Sequence, residues 1–302
     1  MKIENIEDVR VLVETARGGT LTAASKALGV TPAAASAMLK RLEAQLGERL
    51  FERSTRAMRL TPQGQTLLDY ASRALDLLEE GESQLATQGR SLVGTVRVAA
   101  PSDLTRSVLL PMLDDFLTDH PGVHLALSVS DRVQDVMRDA IDLALRYGDP
   151  KDSRLVARPL ATTRRVLCAS PAYLKRHPAP KHPQDLTQHN CLTFQLNSRH
   201  YVAWRFEKDG TWTEVRIAGN RSADDAAIAH QWAMAGTGLI YKSELDLFHD
   251  LTAGTLVRLL PDWQGEQYPL NAILPSNRFV PARVQVLVDF LKARFMALPA
   301  IQ

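Results

Sequence analysis

The sequence predicts a multi-domain protein: a mostly helical N-terminal unit, one long connecting helix, and a C-terminal α/β part in two lobes. Short helical periods broken by glycines fill the stretch before Leu50, a proline-free run extends from Pro62 to about Gln88, and strand and helix patterns alternate beyond it. At 302 residues the chain exceeds one ordinary domain. A hydrophobic fraction of 45% beside 23% charged residues is that of a globular chain able to build cores.

Ile6, Val9, Val13 and Ala16 recur at helical spacing, and Gly18-Gly19 stop that first helix. A second, Leu21 to Leu28, ends at Gly29, which suits a left-handed turn, with Val30 filling the turn. The third begins at Thr31-Pro32, an N-cap followed by a proline in the first turn, and runs through Ala33 to Leu46. Helix, glycine turn, helix is a helix-turn-helix, and Ala23, Ala24 and Ala27 against Ala34 and Ala35 let the two short helices approach closely. The turn alone fits a plain three-helix bundle equally well.

The next segment separates the two readings. Leu50 to Thr61 reads as two short strands around a polar turn, with Arg53, Ser54, Thr55, Arg56 and Arg59 in or beside it. Arginines interleaved with hydroxyls suit phosphate oxygens, so the hairpin is expected to be a wing on DNA. Thr31, Pro32, Ala33, Ser36, Ala37 and Lys40 form the expected outer face of the third helix, with Arg41 extending its basic end. These features predict a winged helix-turn-helix over residues 1–61.

Over residues 62–90, Leu67, Ala71, Ala74, Leu78, Gly81 and Leu85 alternate at spacings of four and three, widened by Leu68 and Leu75. This heptad seam predicts a homodimer through 62–90. Residues 91–302 follow. Thr95–Ala99, Val123–Val129 and Leu143–Tyr147 are expected strands, and Asp103–His120 and Arg132–Ala140 expected helices, giving a parallel sheet with ligands at the carboxyl ends of its strands. Val156 to Ala169 is expected to cross into a second lobe. Leu256–Leu260, Leu270–Leu274 and the helix Ala282–Met296 are expected to return to the first. The lobes are drawn at about 91–163 with 267–302, and about 164–266.

Several classes are disfavoured. The formal charge of +2 implies no polyanion partner by itself, so any nucleic-acid argument rests on local charge. The N-terminus carries acids within its apolar stretch and lacks a small-residue cleavage site, and no apolar run approaches the ~20 residues that span a bilayer. A cytoplasmic protein with no membrane association is expected. Cys168 and Cys191 read as free thiols, and two candidate ligands at His189 and Cys191 do not make a metal site. No nucleophile elbow, phosphate loop or His-Glu-x-x-His occurs, and Pro121-Gly122 interrupts His120 and His124, so neither an enzyme nor a cofactor is expected.

By these residues the chain resembles the LysR-type transcriptional regulators: Gly19-Thr20-Leu21-Thr22-Ala23-Ala24-Ser25, Leu28 to Ser36, Lys40-Arg41-Leu42-Glu43, Leu46-Gly47, Leu50-Phe51-Glu52-Arg53 and Leu60-Thr61-Pro62-Gln63-Gly64. The resemblance continues through Pro101-Ser102, Asp142 to Gly148, Trp204-Arg205-Phe206 and Ala235 to Leu239. It implies binding to double-stranded DNA, a linker helix that pairs two subunits, tetramers built as dimers of dimers, and a C-terminal domain with the two-lobed fold of type 2 periplasmic solute-binding proteins, holding a small-molecule effector between its lobes. The family commonly has a polar or basic residue at the position of Ala37 and often serine at that of Ala33. Alanines there supply few base contacts, which shifts specificity toward thymine methyls, shape and paired half-sites.

In such clefts a hydroxyl at a helix N-terminus binds a carboxylate together with backbone N–H groups, a role that fits Ser102. Arg146 is placed to face an acid, Ser130 or Asp131 to line the same mouth, and Asn197, Ser198, Arg199, His200 and Trp204 to contribute from the second lobe. A small organic anion is therefore the expected effector. Ser102 is equally suited to capping its helix and Arg146 to a structural ion pair. Lys242, in Tyr241-Lys242-Ser243, is expected at the cleft rim or in solvent. The alternative function is an effector-independent repressor or architectural DNA binder whose C-terminal domain only oligomerises.

Overall fold

The computed structural model describes residues 2–53, 58–87, 92–132, 141–148, 155–196, 199–200, 203–275 and 280–298. The chain forms two compact units, Met1–Gly94 and Thr95–Gln302, and the long helix belongs to the first.

In the N-terminal unit α1 (Ile6–Gly18), α2 (Leu21–Ala27) and α3 (Pro32–Leu46) start where a short polar side chain takes an orphan N–H. Asn5 accepts from Glu7 at 2.9 Å, Thr20 from Ala23 at 3.1 Å and Thr31 from Ala34 at 3.2 Å. Gly29, at φ +66, makes the turn between α2 and α3. Val9, Val11, Leu12 and Val13 of α1 close over Ala35, Leu39 and Leu42 of α3 in a core that continues into Leu50 and Phe51. Strands β1 (Phe51–Arg53) and β2 (Met58–Leu60) pair antiparallel, with Glu52 opposite Arg59. The wing tip, with Ser54, Thr55 and Arg56, lies outside the described residues, as does the side chain of Arg53.

Helix α4 (Pro62–Thr87) is anchored at its start. Thr61 donates its hydroxyl to the Arg49 carbonyl at 2.7 Å and accepts from Gly64 at 2.9 Å. A Cβ on Gly64 would stand 2.0 Å from the Leu50 carbonyl oxygen, so the approach of α4 to the hairpin needs glycine. Gly64→Ala is expected to lower the stability of this unit by about 1–3 kcal/mol, although the same change in an open helix would add about 1 kcal/mol. Thermal unfolding followed by circular dichroism reads the sign.

The heptad seam is covered in its first part and open beyond it. Ala71 and Leu75 are buried in the unit's own core, and Leu67 and Leu68 pack against it. The apolar residues that stay exposed are Ala74, Leu78 and Gly81 of the seam, with Tyr70 and Leu77 beside it. The first turns of α4 cover α1, so the seam opens only further along the helix, beyond Ala71. The side chain of Leu85 lies outside the described ones.

The C-terminal unit opens with β3 (Gly94–Ala100). A continuous helical segment follows: α5 (Ser102–Leu104), a π-turn over Thr105–Leu109, and α6 (Leu110–Asp119). Pro111 has no N–H to donate back to the Ser107 carbonyl, and the wider turn falls just before it. Then come β4 (Val123–Val129), β5 (Leu143–Tyr147), β6 (Leu155–Ala161) and β7 (Arg165–Ala169). The helix expected over Arg132–Ala140 falls outside the described residues from 133 onward. Next are α7 (Pro171–Leu174), β8 (Cys191–Leu196), β9 (Arg199–His200), β10 (Ala203–Lys208), β11 (Thr211–Arg216), β12 (Ser222–Ala223) and α8 (Ala226–Met234). The chain finishes with β13 (Leu239–Ser243), α9 (Phe248–Ala253), β14 (Val257–Leu259), β15 (Gln264–Gly265), β16 (Leu270–Pro275) and α10 (Ala282–Met296).

Two mixed sheets result, ordered β4-β3-β5-β16-β6 and β12-β8-β13-β7-β14. β3 and β5 pair in parallel, as do β12, β8 and β13 in turn, whereas one strand entering from the other lobe runs backwards in each sheet, β16 between β5 and β6, and β7 between β13 and β14. The parallel sheet expected from the alternating pattern is thus present with one antiparallel strand in each lobe. Val257–Leu259 is a correction, because it stays in the second sheet beside β7 and does not return to the first. The two crossings are tied side by side: Tyr268 donates to Thr163 at 2.7 Å and Arg165 to Glu266 at 2.9 Å. Helix α10 buries Val284, Leu287, Val288, Leu291 and Phe295, one face at helical spacing, in the first lobe.

Candidate functional site

On α3 the side chains of Thr31, Pro32, Ala33, Ala37 and Lys40 are exposed, and Ser36 is half-buried. Arg59 is exposed on β2. Thr31 already accepts a cap bond, so its hydroxyl is oriented by the helix itself. Arg41 meets, with both arms of its fork, the carboxylate of Asp8, a fully buried residue of α1, with Nε at 2.6 Å. It fixes α3 against α1, and its side chain is still 48% exposed at the basic end of that helix. Glu43 is likewise a positioning residue, accepting the Leu50 N–H at 2.8 Å where the chain turns into β1.

The cleft between the lobes of the C-terminal unit is built from two helix N-termini. Ser102 begins α5 from the first lobe, and Asp225 caps α8 from the second, accepting from Ala227 at 2.8 Å. Ser102 is buried, and its hydroxyl lies 2.6 Å from a carboxylate oxygen of Asp131 and 2.6 Å from one of Asp225. Asp131 also accepts from the Ser102 N–H at 2.9 Å and from the Ala226 N–H at 2.6 Å. The carboxylate expected beside Ser102 is therefore present, but it belongs to this chain.

Beneath this pair lies a buried charge network. Lys242, expected at the rim or in solvent, is only 2% exposed. It contacts Asp103 and lies 3.3 Å from Asp246 and 3.4 Å from the Ala226 carbonyl. Its burial follows from β alternation, since Lys242 shares the face of Ile240, on the side where Ile240 packs with Ala229 and Ala233 of α8. His230 of α8 reaches Asp103 through Nδ1 at 3.0 Å, while Nε2 stands 3.1 Å from Asp250 without the alignment of a hydrogen bond.

Burial works to raise the Asp103 carboxyl, but Lys242 and His230 outweigh it and hold it below the usual carboxylate range. Burial likewise opposes the charge on Lys242, and Asp103 and Asp246 raise it regardless. Asp246 goes the other way: burial lifts it to about 6 although Lys242 pulls it down. The Tyr147 hydroxyl donates to Asp246 and is held protonated, its pKa raised by burial and by that carboxylate.

Of the remaining expected cleft residues, Ser130 is half-buried and accepts from the Arg132 N–H at 3.1 Å. Arg146 is half-buried at the end of β5, opposite Asn271. Asn197 and Ser198 lie outside the described residues, as do the side chains of Arg199 and His200. Trp204 is corrected. It is 3% exposed within the second lobe's core, its ring 5.4 Å from that of Tyr241 under the β10–β11 hairpin. Cys168 and Cys191 are free and buried, and burial raises both thiols, Cys191 to about 12, which keeps them protonated and unreactive.

Comparison with known proteins bears on both units. The model for the lysR family of bacterial regulatory helix-turn-helix proteins matches residues 6–65, and that for the LysR substrate binding domain matches 89–296. The HTH-type transcriptional regulator DmlR of Escherichia coli is 30% identical over 292 residues, 96% of this chain and 94% of that one. An HTH-type transcriptional repressor of Pseudomonas aeruginosa is 31% identical over 301 residues, 99% of this chain and 95% of that one. Among solved structures, CrgA, a LysR-type transcriptional regulator from Neisseria meningitidis, aligns with a TM-score of 0.62 at 28% identity, over 97% of this chain and 99% of that one. Full-length AphB, a virulence activator of Vibrio cholerae, aligns with a TM-score of 0.58 at 26% identity, over 96% and 99% of the two chains. Matched over both parts and nearly end to end, the chain belongs to the LysR-type transcriptional regulators, with a DNA-binding helix-turn-helix followed by an effector-binding domain.

Proposed function

We propose that this protein is a cytoplasmic, non-enzymatic regulator that needs no metal or cofactor and answers to a small organic anion in the interlobe cleft. Its DNA contacts are assigned to Thr31, Pro32, Ala33, Ser36, Ala37, Lys40 and Arg41 of α3, with Arg53, Ser54, Thr55, Arg56 and Arg59 of the wing. The observation that carries the DNA assignment is the open outer face of α3, small and uncharged over its first turns and cationic at Lys40. Among the described residues no helix is long and apolar enough to cross a membrane. Pairing through the open stripe of α4 gives a homodimer, and pairs of dimers a tetramer. A ligand changes the lobe arrangement only through its difference in affinity for the two states.

Anionic chemistry in the cleft is supported by the convergence of two helix N-termini on Ser102 and Ala226, with the buried ammonium of Lys242 below. The test is binding of the full chain to its own upstream DNA across a salt titration. Lys40→Ala is expected to weaken binding on specific and random sequences alike and to reduce the slope of log K against log salt by about 1, with Arg56→Ala acting similarly at the wing. Equal affinity of wild type for operator and random DNA, with or without candidate anions, would count against the reading.

A further inference from the structure

The donors that would receive an anionic effector are already engaged. Asp131 presents one oxygen to the Ser102 N–H at 2.9 Å and the other, at 2.6 Å from each, to the Ser102 hydroxyl and the Ala226 N–H. Ser102 and Ala226 begin helices of different lobes, and Asp131 follows β4 of the first lobe, so one carboxylate joins both lobes. Lys242 lies within electrostatic range beneath it. Asp225 competes for the same hydroxyl, which has a single proton to give and serves one of the two carboxylates at a time.

A free carboxylate has the same two oxygens and would take the same three donors, so it and Asp131 exclude one another. We propose that Asp131 is a tethered carboxylate ligand of the interlobe site, and that an anionic effector acts by displacing it, not by entering an empty cleft. The proposal rests on the reading of this cleft as the effector site. A small carboxylate, or an oxyanion of similar size, leaves the helix donors satisfied while freeing the Ser130–Arg132 turn from α8. The neighbouring tie, Arg132 to Asp224 at 3.1 Å, is solvent-exposed and holds the turn weakly by itself. Displacement thus changes what connects the lobes without leaving buried N–H groups unpaired, which is the differential contact that a two-state switch requires.

The test uses the full chain, with wild type and Asp131→Ala titrated in sodium acetate against sodium chloride at matched ionic strength. Asp131→Ala is expected to show a saturable, acetate-specific rise in melting temperature, about 3–6 °C at acetate tenfold above its Kd. Wild type should need at least about tenfold more acetate for the same rise, because its own carboxylate competes intramolecularly. If Asp131→Ala is recovered only as aggregate, Asp131→Ser, which also vacates the carboxylate position, gives the same readout. A variant that responds to acetate no more than wild type does, while wild type still binds operator DNA, overturns the tether and leaves the regulator reading standing. Loss of operator preference in wild type would instead overturn the reading on which the tether rests.

Discussion

Lys242→Met is expected to destabilise the C-terminal unit by about 3–5 kcal/mol, the cost of leaving buried carboxylates without their cation. Asp103, Lys242 and Asp246 are each no more than 5% exposed, so water cannot substitute for the lost ammonium. Methionine fills much of the same volume, so a cavity does not account for the effect. Pairing Lys242→Met with Asp103→Asn should recover part of the loss, since the second change removes one of the uncompensated charges. Chemical unfolding of the three variants reads this directly, and a cost below about 1 kcal/mol for Lys242→Met would show that the network contributes little.

The same network gives a pH dependence whose sign is set by Asp246. Its folded pKa, about 6, lies above the ordinary value of 3.8, so between those values the folded protein binds more protons than the unfolded chain. This group's contribution to stability therefore falls as pH rises through that window. Asp103, held below its ordinary value, acts oppositely: its contribution is present above 3.8 and is lost as pH falls through its folded pKa. The two effects occupy separate windows, and Asp246→Asn should flatten the upper one alone.

The N-terminal unit was legible because its signals are local. Asn5, Thr20 and Thr31 cap helices, glycines end them, and the strands of the wing follow at the positions read from sequence. What escaped was long-range pairing: nothing in the spacing shows that Asp8 takes the fork of Arg41 across 33 positions of chain. In the C-terminal unit the strands at Val123–Val129 and Leu143–Tyr147 were placed correctly. The sheet to which Val257–Leu259 belongs was not, since a short apolar strand carries no mark of its partner. Lys242 had a usable signal, because strict alternation from Leu239 sets it on the face of Ile240, toward a helix carrying His230. Asp225 before Ala226-Ala227 was likewise a visible N-cap. Only the fold brings it, Asp131 and Ser102 together.

Leu77→Lys with Leu78→Lys is expected to abolish dimer formation and to lower apparent affinity for a two-site operator by about 10²–10⁴-fold, the gain that linking two modest contacts supplies. The two leucines are 40% and 51% exposed, and Tyr70 66%, on a helix whose other face is already covered by its own unit. Because both side chains are largely exposed, the change should alter the unit's stability by no more than about 0.5 kcal/mol. Leu75→Ala is the contrast. That side chain is buried in the unit's own core, and its loss should cost about 2–5 kcal/mol of folding free energy while leaving the open stripe intact. Sedimentation equilibrium together with operator binding separates the two cases. A dimer that survives both lysines would place the pairing surface elsewhere on the chain, and DNA affinity would then have to come from single winged domains, whose α3 face of alanines offers few contacts to supply it.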